Sequence, residues 1–283
     1  MKTGLVLEGG AMRGMFTAGV TDVMMENGIQ PDGIIGVSAG AVFGCNYKSG
    51  QIGRVIRYNT RFCKDPRYCS FRSLLRTGDL FGVDFCYREI PEKLDVFDND
   101  AFRSSPMEFY LVCTDVEMGE AVYHKCEDIG PDELKWMRAS ASMPLVSNVV
   151  EVGGYRLLDG GIVDSIPLRR FEEMGYERNL VILTQPRDYV KKKNKALPLA
   201  RKALKEYPRA IEAMAVRHEV YNAATAYVRE REAQGAALVI CPDGTLPIRR
   251  VERDPEKLWA VYQIGRETAQ RKLAEICAFF ADK

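Results

Sequence analysis

The hydrophobic residues of the chain form short apolar runs, separated by segments in which apolar positions recur at helical spacing. The runs predict core strands at residues 3–7, 33–37, 109–114, 155–158 and 180–183. Helical spacing predicts a helix over residues 15–27, which Gly28 ends, and another over residues 167–174. Strands that alternate with helices predict an α/β fold with a largely parallel central sheet and helices on both faces.

Two segments depart from this alternation. Residues 62–106 are rich in aromatic side chains and arginine, which predicts irregular or short helical structure laid over the sheet. Beyond residue 184 the pattern predicts a long helix, a strand and a final helix, at residues 197–234, 237–241 and 255–280. We therefore expect a first domain at residues 4–184 and a mostly helical C-terminal region at residues 185–283, packed on it.

Charge and cysteine content exclude several classes of protein. The 283 residues carry 40 Lys+Arg against 39 Asp+Glu, and a net charge of +1 argues against a protein that neutralises many nucleic-acid phosphates. No apolar run approaches the ~20 residues that cross a bilayer, and the first apolar triplet is too short for a signal-peptide core. The eight cysteines form no C-x-x-C pair, and the chain has only two histidines that could join them as metal ligands. We expect reduced thiols in a cytoplasmic protein, without a disulfide framework or a zinc site.

The first candidate loop follows the first predicted strand. It reads Glu8-Gly9-Gly10-Ala11-Met12-Arg13-Gly14. Glycines at a strand-to-helix turn expose backbone N–H groups at the positive end of a helix, which suits an anion or a developing oxyanion. A tight turn that needs glycine for its dihedral angles is the alternative. A dinucleotide-binding fingerprint fits poorly, because Ala11 replaces its middle glycine and the second predicted strand ends without an acidic residue.

The second loop is a G-x-S-x-G motif where a β-branched strand meets a helix. It reads Gly36-Val37-Ser38-Ala39-Gly40. In such an elbow, a strained turn holds the serine hydroxyl clear of the sheet. Roughly 0.07 such motifs are expected by chance in a chain of this composition. The motif therefore favours a nucleophile at Ser38 over a packing turn.

The third loop, Asp159-Gly160-Gly161, supplies a candidate base for the serine. Carboxyl ends of parallel strands share one edge of a sheet, so we expect Asp159 on the same edge as Ser38, although a plain Asp-Gly turn is the alternative. His124 is expected on a hairpin, and His218 fits the Ser…Asp…His order without a turn to present it. We favour a Ser–Asp dyad. Since an ordinary Asp has a pKa near ~4, Asp159 is expected to be partly desolvated.

These three loops, in this order, resemble the patatin-like phospholipase family, which combines a GGxxRG loop, a GxSxG nucleophile and a DG[GA] aspartate. The resemblance spans roughly residues 4–170 and includes stretches on both sides of the aspartate, at residues 139–144 and 161–167. It implies that Ser38 is the nucleophile and Asp159 the base.

The same resemblance assigns the oxyanion hole to the first loop. The backbone amides of Gly9, Gly10 and Ala11 would bind the oxyanion, and the rest of the loop, Met12, Arg13 and Gly14, would hold them. Ala11 stands where many members have glycine.

The family implies a phospholipase A-type α/β core that hydrolyses fatty acyl esters without a metal or cofactor, as a phospholipase A, lysophospholipase or carboxylesterase. Residues 62–106 would then form the wall of an acyl site, or else plain hydrophobic core. The lysines within residues 191–195 offer transient contact with anionic lipid, or else form a solvated loop.

The predicted partner is a lipid or fatty acyl ester, not a nucleic acid. The competing hypotheses are a Ser38–Asp159–His218 esterase, a catalytically inactive lipid-binding module and a dinucleotide oxidoreductase.

Overall fold

Eight strands form one sheet in the computed structural model, which describes residues 1–281. The strands are β1 (Lys2–Leu7), β2 (Gly33–Val37), β3 (Glu108–Asp115), β4 (Glu120–Lys125), β5 (Val150–Val152), β6 (Tyr155–Asp159), β7 (Tyr176–Ile182) and β8 (Ala237–Ile240). Their order is β5-β6-β3-β2-β1-β7-β8, with β4 also paired to β3. The run from β3 to β8 is parallel, whereas β4 and β6 are antiparallel to β3 and β5 is antiparallel to β6.

Helices and short helical segments surround this sheet. The α-helices are α1 (Gly14–Glu26), α2 (Ala39–Lys48), α3 (Arg54–Phe62), α4 (Phe71–Thr77), α5 (Asn99–Ser104), α6 (Pro131–Ser140), α7 (Leu168–Glu173), α8 (Leu197–Ala203), α9 (Pro208–Ala233), α10 (Pro255–Arg271) and α11 (Leu273–Ala281). Two 3₁₀ turns (Ala11–Arg13 and Gly160–Ile162) and a π-helix (Phe85–Leu94) complete the elements. Strands β1, β2 and β3 bury apolar side chains on both faces of the sheet, as expected for central parallel strands.

The predicted α/β class is confirmed, and each predicted core strand is present. Three details were wrong. The strand at residues 155–158 is antiparallel to its neighbour β3. The long helix at residues 197–234 is two helices, because Pro208 lacks an N–H and begins α9 instead of continuing α8. The final helix is also two, with a break at Lys272 that nothing in the structure explains.

The C-terminal region contributes to the sheet as well as covering it. β8 extends the sheet beside β7, and α10 packs along α1. The division near residue 185 stays a prediction, but residues on both sides of it build one sheet.

Asp22 on α1 joins this C-terminal helix to the first part of the chain. Its Oδ2 accepts hydrogen bonds from the Tyr262 hydroxyl on α10 (2.7 Å) and from the Gly53 amide before α3 (3.0 Å). Burial raises the pKa of Asp22 to about 6. Because the folded chain then holds this proton more tightly than the unfolded chain, the stability contribution of Asp22 falls as pH rises from about 4 to 6.

We expect Asp22→Asn, which keeps an acceptor oxygen but no charge, to remove that loss. Its melting temperature should exceed that of the wild type by roughly 5 °C at pH 7 and match it near pH 4. Thermal unfolding at the two pH values measures the difference. An equal decrease at both pH values would show that the two hydrogen bonds require the carboxylate.

Candidate active site

Ser38 occupies a strained turn between β2 and α2. Its backbone has φ 55° and ψ −121°, a region that residues other than glycine rarely adopt. Such a turn allows the chain to pass from strand to helix while the serine side chain stands at the apex. Ser38 is only 6% exposed, yet it lines a cavity.

Close backbone contacts explain both glycines of the motif. A methyl group on Gly36 would lie 2.5 Å from the carbonyl oxygen of Gly40, and one on Gly40 would lie 2.4 Å from that of Leu7. Neither position accepts a side chain without moving the backbone. The elbow, with Val37 and Ala39 on either side of Ser38, therefore requires this G-x-S-x-G spacing.

The aspartate reaches Ser38 by a different route from the one predicted. Val37 at the end of β2 lies opposite Val112 of β3, and Asp159 at the end of β6 lies opposite the next residue, Cys113. Since β4 pairs with the other edge of β3, strands β2 and β6 lie along the same edge and run toward each other. The expectation that Asp159 ends a parallel strand was wrong. Its carboxylate meets Ser38 because two opposed strands end head to head.

A direct hydrogen bond joins the two side chains. Ser38 Oγ donates to Asp159 Oδ2 at 2.6 Å, and the Gly161 amide donates to Asp159 Oδ1 at 2.8 Å. Burial raises the pKa of Asp159 above its ordinary range, while the Ser38 hydrogen bond and the nearby Arg217 guanidinium oppose that rise. The expected desolvation of this carboxylate is therefore present.

The stretch at residues 139–144 fixes both partners. Ser140 Oγ accepts a hydrogen bond from the Ser38 amide (3.0 Å) and donates one to the Val112 carbonyl (2.7 Å). The Asp159 amide donates to the Ser142 carbonyl (2.8 Å). These contacts hold the serine and the aspartate to the same segment.

The glycine-rich loop after β1 touches the elbow. A methyl group on Gly9 would lie 3.1 Å from Ser38 Cβ. In the part of the chain that the structure describes, the amides of Gly9, Gly10 and Ala11 donate to no backbone or side-chain acceptor. Ala11 has φ 48°, a conformation that favours the glycine that many patatin-like phospholipases have here. The loop therefore offers free backbone donors beside the serine.

The rest of this loop leads into α1. Met12 is buried and lines the same cavity as Ser38, and Gly14 is the first residue of the helix. Arg13 carries a buried Nε without a hydrogen-bond partner. Burial lowers the pKa of Arg13, while the nearby Glu8 carboxylate opposes that shift.

Sequence reasoning missed the support that the C-terminal region gives to these loops. Glu8 is fully buried and accepts hydrogen bonds from the Thr184 amide (2.5 Å) and the Tyr221 hydroxyl (2.8 Å). Arg217 donates through Nε to the carbonyl of Gly161, beside Asp159. For Glu8, the sequence offered one signal, an acidic residue directly after a predicted core strand. Nothing local in the sequence indicated Tyr221 or Arg217.

A mostly apolar cavity of about 1140 Å³, counted with its solvent-filled mouth, opens beside Ser38. The aromatic segment expected to cover the sheet forms much of its wall. From that segment, the cavity is lined by Tyr68, Phe81, Val83, Tyr87, Ile90 and Phe97. Val42, Phe43 and Cys45 on α2 continue the wall away from the serine.

Neither histidine enters the hydrogen bonding of Ser38 and Asp159. His218 Nε2 lies 3.5 Å from Glu219, and its buried Nδ1 has no hydrogen-bond partner within residues 1–281. His124 lies on the predicted hairpin, β3–β4, stacked on Trp136 with ring centroids 4.0 Å apart.

His124 is also part of a group that could hold a metal ion, with Cys126 and Glu133. The ligand atoms of these side chains lie within 4.8 Å of one another. Burial holds the pKa of the Cys126 thiol well above its usual range, and metal binding requires the thiolate. His124 Nε2 is hydrogen-bonded to Glu133 at 2.8 Å, and metal binding would have to replace this bond.

Comparisons with known proteins match two separate parts of the chain. The family model for patatin-like phospholipase matches residues 5–171, and a model for a domain of unknown function (DUF6363) matches residues 207–281. An uncharacterized Escherichia coli protein, YjjU, is 31% identical over 195 residues, which are 64% of this chain and 52% of that protein. Lysophospholipase NTE1 of Coccidioides immitis is 28% identical over 179 residues, 61% of this chain and 11% of that protein.

Among solved structures, VipD from Legionella pneumophila matches with a TM-score of 0.48 and 12% identity. The match covers 97% of this chain and 67% of VipD. The chain spans about half the length of the Escherichia coli relative and about a tenth of the Coccidioides one. Across residues 1–281, no helix is both long and apolar enough to traverse a bilayer.

Proposed function

The chain belongs to the patatin-like phospholipase family, and we propose that it hydrolyses fatty acyl esters of lipids with Ser38 as nucleophile and Asp159 as general base. The observation that carries this proposal is the 2.6 Å hydrogen bond from the serine hydroxyl to the buried carboxylate. This distance is short enough for a proton to pass directly from Ser38 to Asp159. Ser38 also lines a cavity with mostly apolar walls, which suit an acyl chain.

In the first half of the reaction, Ser38 Oγ attacks the ester carbonyl carbon and its proton passes to Asp159. Asp159 then gives this proton to the departing alcohol oxygen as the C–O bond of the ester breaks, which leaves an acyl group on Ser38. In the second half, a water molecule loses its proton to Asp159 and attacks the acyl carbon. The fatty acid leaves, and the proton returns to Ser38 Oγ.

The free amides of Gly9, Gly10 and Ala11 are the donors for the oxyanion that each half-reaction forms. Donors fixed in place before the reaction stabilise the developing charge without reorganising, and removal of one typically costs ~10²–10³ in rate. Contact between Gly9 and Ser38 supports this assignment, because the oxyanion forms one bond away from the attacked carbon.

The raised pKa of Asp159 supports its role as the base. Brønsted behaviour favours a base whose pKa approaches the working pH, and an ordinary carboxylate falls short of that. Both of its oxygens are engaged, by Ser38 and by Gly161, with no histidine between the partners. The geometry therefore favours the dyad over a triad with His218.

A chain-length series tests the acyl site. Cys45 lines the cavity seven residues after Ser38, about 10 Å along the axis of α2. We expect Cys45→Phe to lower kcat/KM at least tenfold for esters of twelve or more carbons and to leave butyryl esters within twofold. The wild type should prefer the long esters, and the fatty acid released reports the rate.

The matched control is Cys277→Phe, at an exposed position on α11. It should leave the whole series unchanged. Failure of the wild type to release fatty acid from any ester would overturn the proposed function. Equal losses at all chain lengths in Cys45→Phe would place the acyl chain elsewhere. Cytoplasmic location and transient contact with a membrane surface stay predictions.

A further inference from the structure

Four cationic side chains from separate segments of the chain interact electrostatically beside the candidate site. This basic cluster consists of Arg13, Lys191, Arg217 and Arg250. Lys191 has the other three cations among its electrostatic neighbours. Arg217 has Arg13 and Arg250, and Arg13 has Arg250. Within residues 1–281, none of the four has a carboxylate oxygen within 4.0 Å. The cluster is therefore a concentration of positive charge without ion pairs.

Hydrogen bonds and ring contacts fix the cluster around the catalytic loops. Arg217 donates to the Gly161 carbonyl, and the carbonyl of Arg250 accepts from the Met12 amide (3.3 Å). The Lys191 ammonium lies 3.9 Å from the ring centroid of Tyr221, whose hydroxyl donates to Glu8. The cations thus come from separate segments and converge on the loop that precedes α1.

The two acids within range of the cluster are already engaged. Tyr221 and Thr184 hydrogen-bond the Glu8 carboxylate, and Ser38 and Gly161 hydrogen-bond that of Asp159. The cluster therefore has four cations but two nearby carboxylates, and both carboxylates already have other hydrogen-bond partners.

Arg13, Lys191 and Arg217 are partly buried and Arg250 is exposed, and the partial burial of the first three is costly unless an anion joins them. Arg13 Nε is buried without any partner, and burial together with the other cations lowers the pKa of Lys191 to about 7. A buried unpaired cation costs free energy, which a bound anion recovers. Arg217 and Arg13 carry planar guanidinium groups, which match the oxygen geometry of phosphate.

We propose that the basic cluster binds the phosphate of a phosphate-bearing lipid, which makes a phospholipid or lysophospholipid the preferred substrate over a neutral acylglycerol. This inference rests on the proposed function. None of the four cations lines the apolar cavity, which meets the cluster at the loop of Ala11 and Met12 and at Ser38. An ester bond placed at Ser38 would have its acyl chain in the cavity and its phosphate at the cluster.

The structure distinguishes Lys191 from the other lysines within residues 191–195, which were expected to contact lipid or to form a solvated loop. Lys192, Lys193 and Lys195 are exposed, whereas Lys191 is partly buried against Tyr221. The lysine that takes part in the cluster is therefore distinct from those available to a lipid surface.

The test uses 1-oleoyl-lysophosphatidate and 1-oleoylglycerol, which differ only in the phosphate, in mixed micelles of one detergent. We expect the wild type to show at least a tenfold higher kcat/KM for the phosphate-bearing ester. Lys191→Gln and Arg250→Gln should each lower that value about fivefold and leave the neutral ester within twofold. Lys193→Gln and Arg249→Gln, exposed neighbours of the same charge, are the matched controls and should change neither value.

Inorganic phosphate at constant ionic strength separates the possible sources of the anion. If phosphate raises the melting temperature of the wild type but not of the Lys191→Gln/Arg250→Gln double variant, the cluster binds phosphate. Such binding with equal kcat/KM for the two esters would indicate a free-phosphate site and overturn the head-group assignment. No phosphate effect and no ester preference would overturn the cluster as an anion site. Absence of hydrolysis of both esters would instead contradict the proposed function, while the phosphate titration would still test the cluster.

Discussion

Ser38→Ala is expected to reduce the rate of ester hydrolysis by at least ~10⁴-fold. The remaining rate would come from substrate binding and the oxyanion donors alone. The substitution removes the nucleophile and the hydrogen bond to Asp159. It retains a Cβ atom, so the strained turn at φ 55° experiences the same steric cost as in the wild type. The loss should therefore be chemical and not a failure to fold.

Two measurements separate these causes. Release of p-nitrophenol from the butyryl ester gives the rate, and a fluorophosphonate probe followed by intact mass reports whether a serine reacts. The wild type should gain one adduct and Ser38→Ala none. Ser49→Ala, at the C-terminal end of α2, removes another buried hydroxyl and should keep nearly full activity. Equal labelling of Ser38→Ala and the wild type would exclude Ser38 as the nucleophile and strengthen the case for an inactive lipid-binding module.

The elbow could be predicted because its cause is local. The glycines at residues 36 and 40 are required by contacts within a few residues of Ser38 and with the end of β1. The short β-branched run before the motif and the small residues after it fix the strand-to-helix context. A pattern of this kind needs no knowledge of the distant chain.

The proximity of Asp159 to Ser38 could be predicted from the sequence, but the strand direction that brings them together could not. The sequence showed a strand that ends in an acid, but strand direction depends on pairing partners. β6 pairs with the part of β3 that extends past the end of β2, and this register places Asp159 beside Ser38. No residue within β6 itself specifies that register.

The contribution of the C-terminal region lay beyond sequence reasoning. The hydrogen bond from Tyr221 to Glu8 joins residues 213 positions apart, and the sequence around Tyr221 does not mark it as a partner of Glu8. Lys191 likewise looked like one lysine among several. Its difference arises from packing against Tyr221, which only the folded chain reveals.

Asp159→Asn is expected to lower kcat by about 10³–10⁴-fold while the fold is retained. The amide oxygen can still accept from the Gly161 amide, so the turn after β6 keeps its cap. The amide nitrogen would then face Ser38 Oγ, and it donates a hydrogen bond instead of accepting a proton. Ser38 would remain in place without a base.

The pH profile distinguishes a lost base from a displaced side chain. Hydrolysis by the wild type needs the ionised carboxylate, so kcat/KM should fall as pH decreases through the pKa of Asp159. Because burial raises that pKa, the midpoint should lie above the ordinary carboxyl value of about 4. The residual activity of Asp159→Asn should lack this acid limb. If His218→Ala abolished activity as completely as Asp159→Asn, the triad hypothesis would replace the dyad, whereas a change of less than threefold agrees with the absence of His218 from the hydrogen bonds of Ser38 and Asp159.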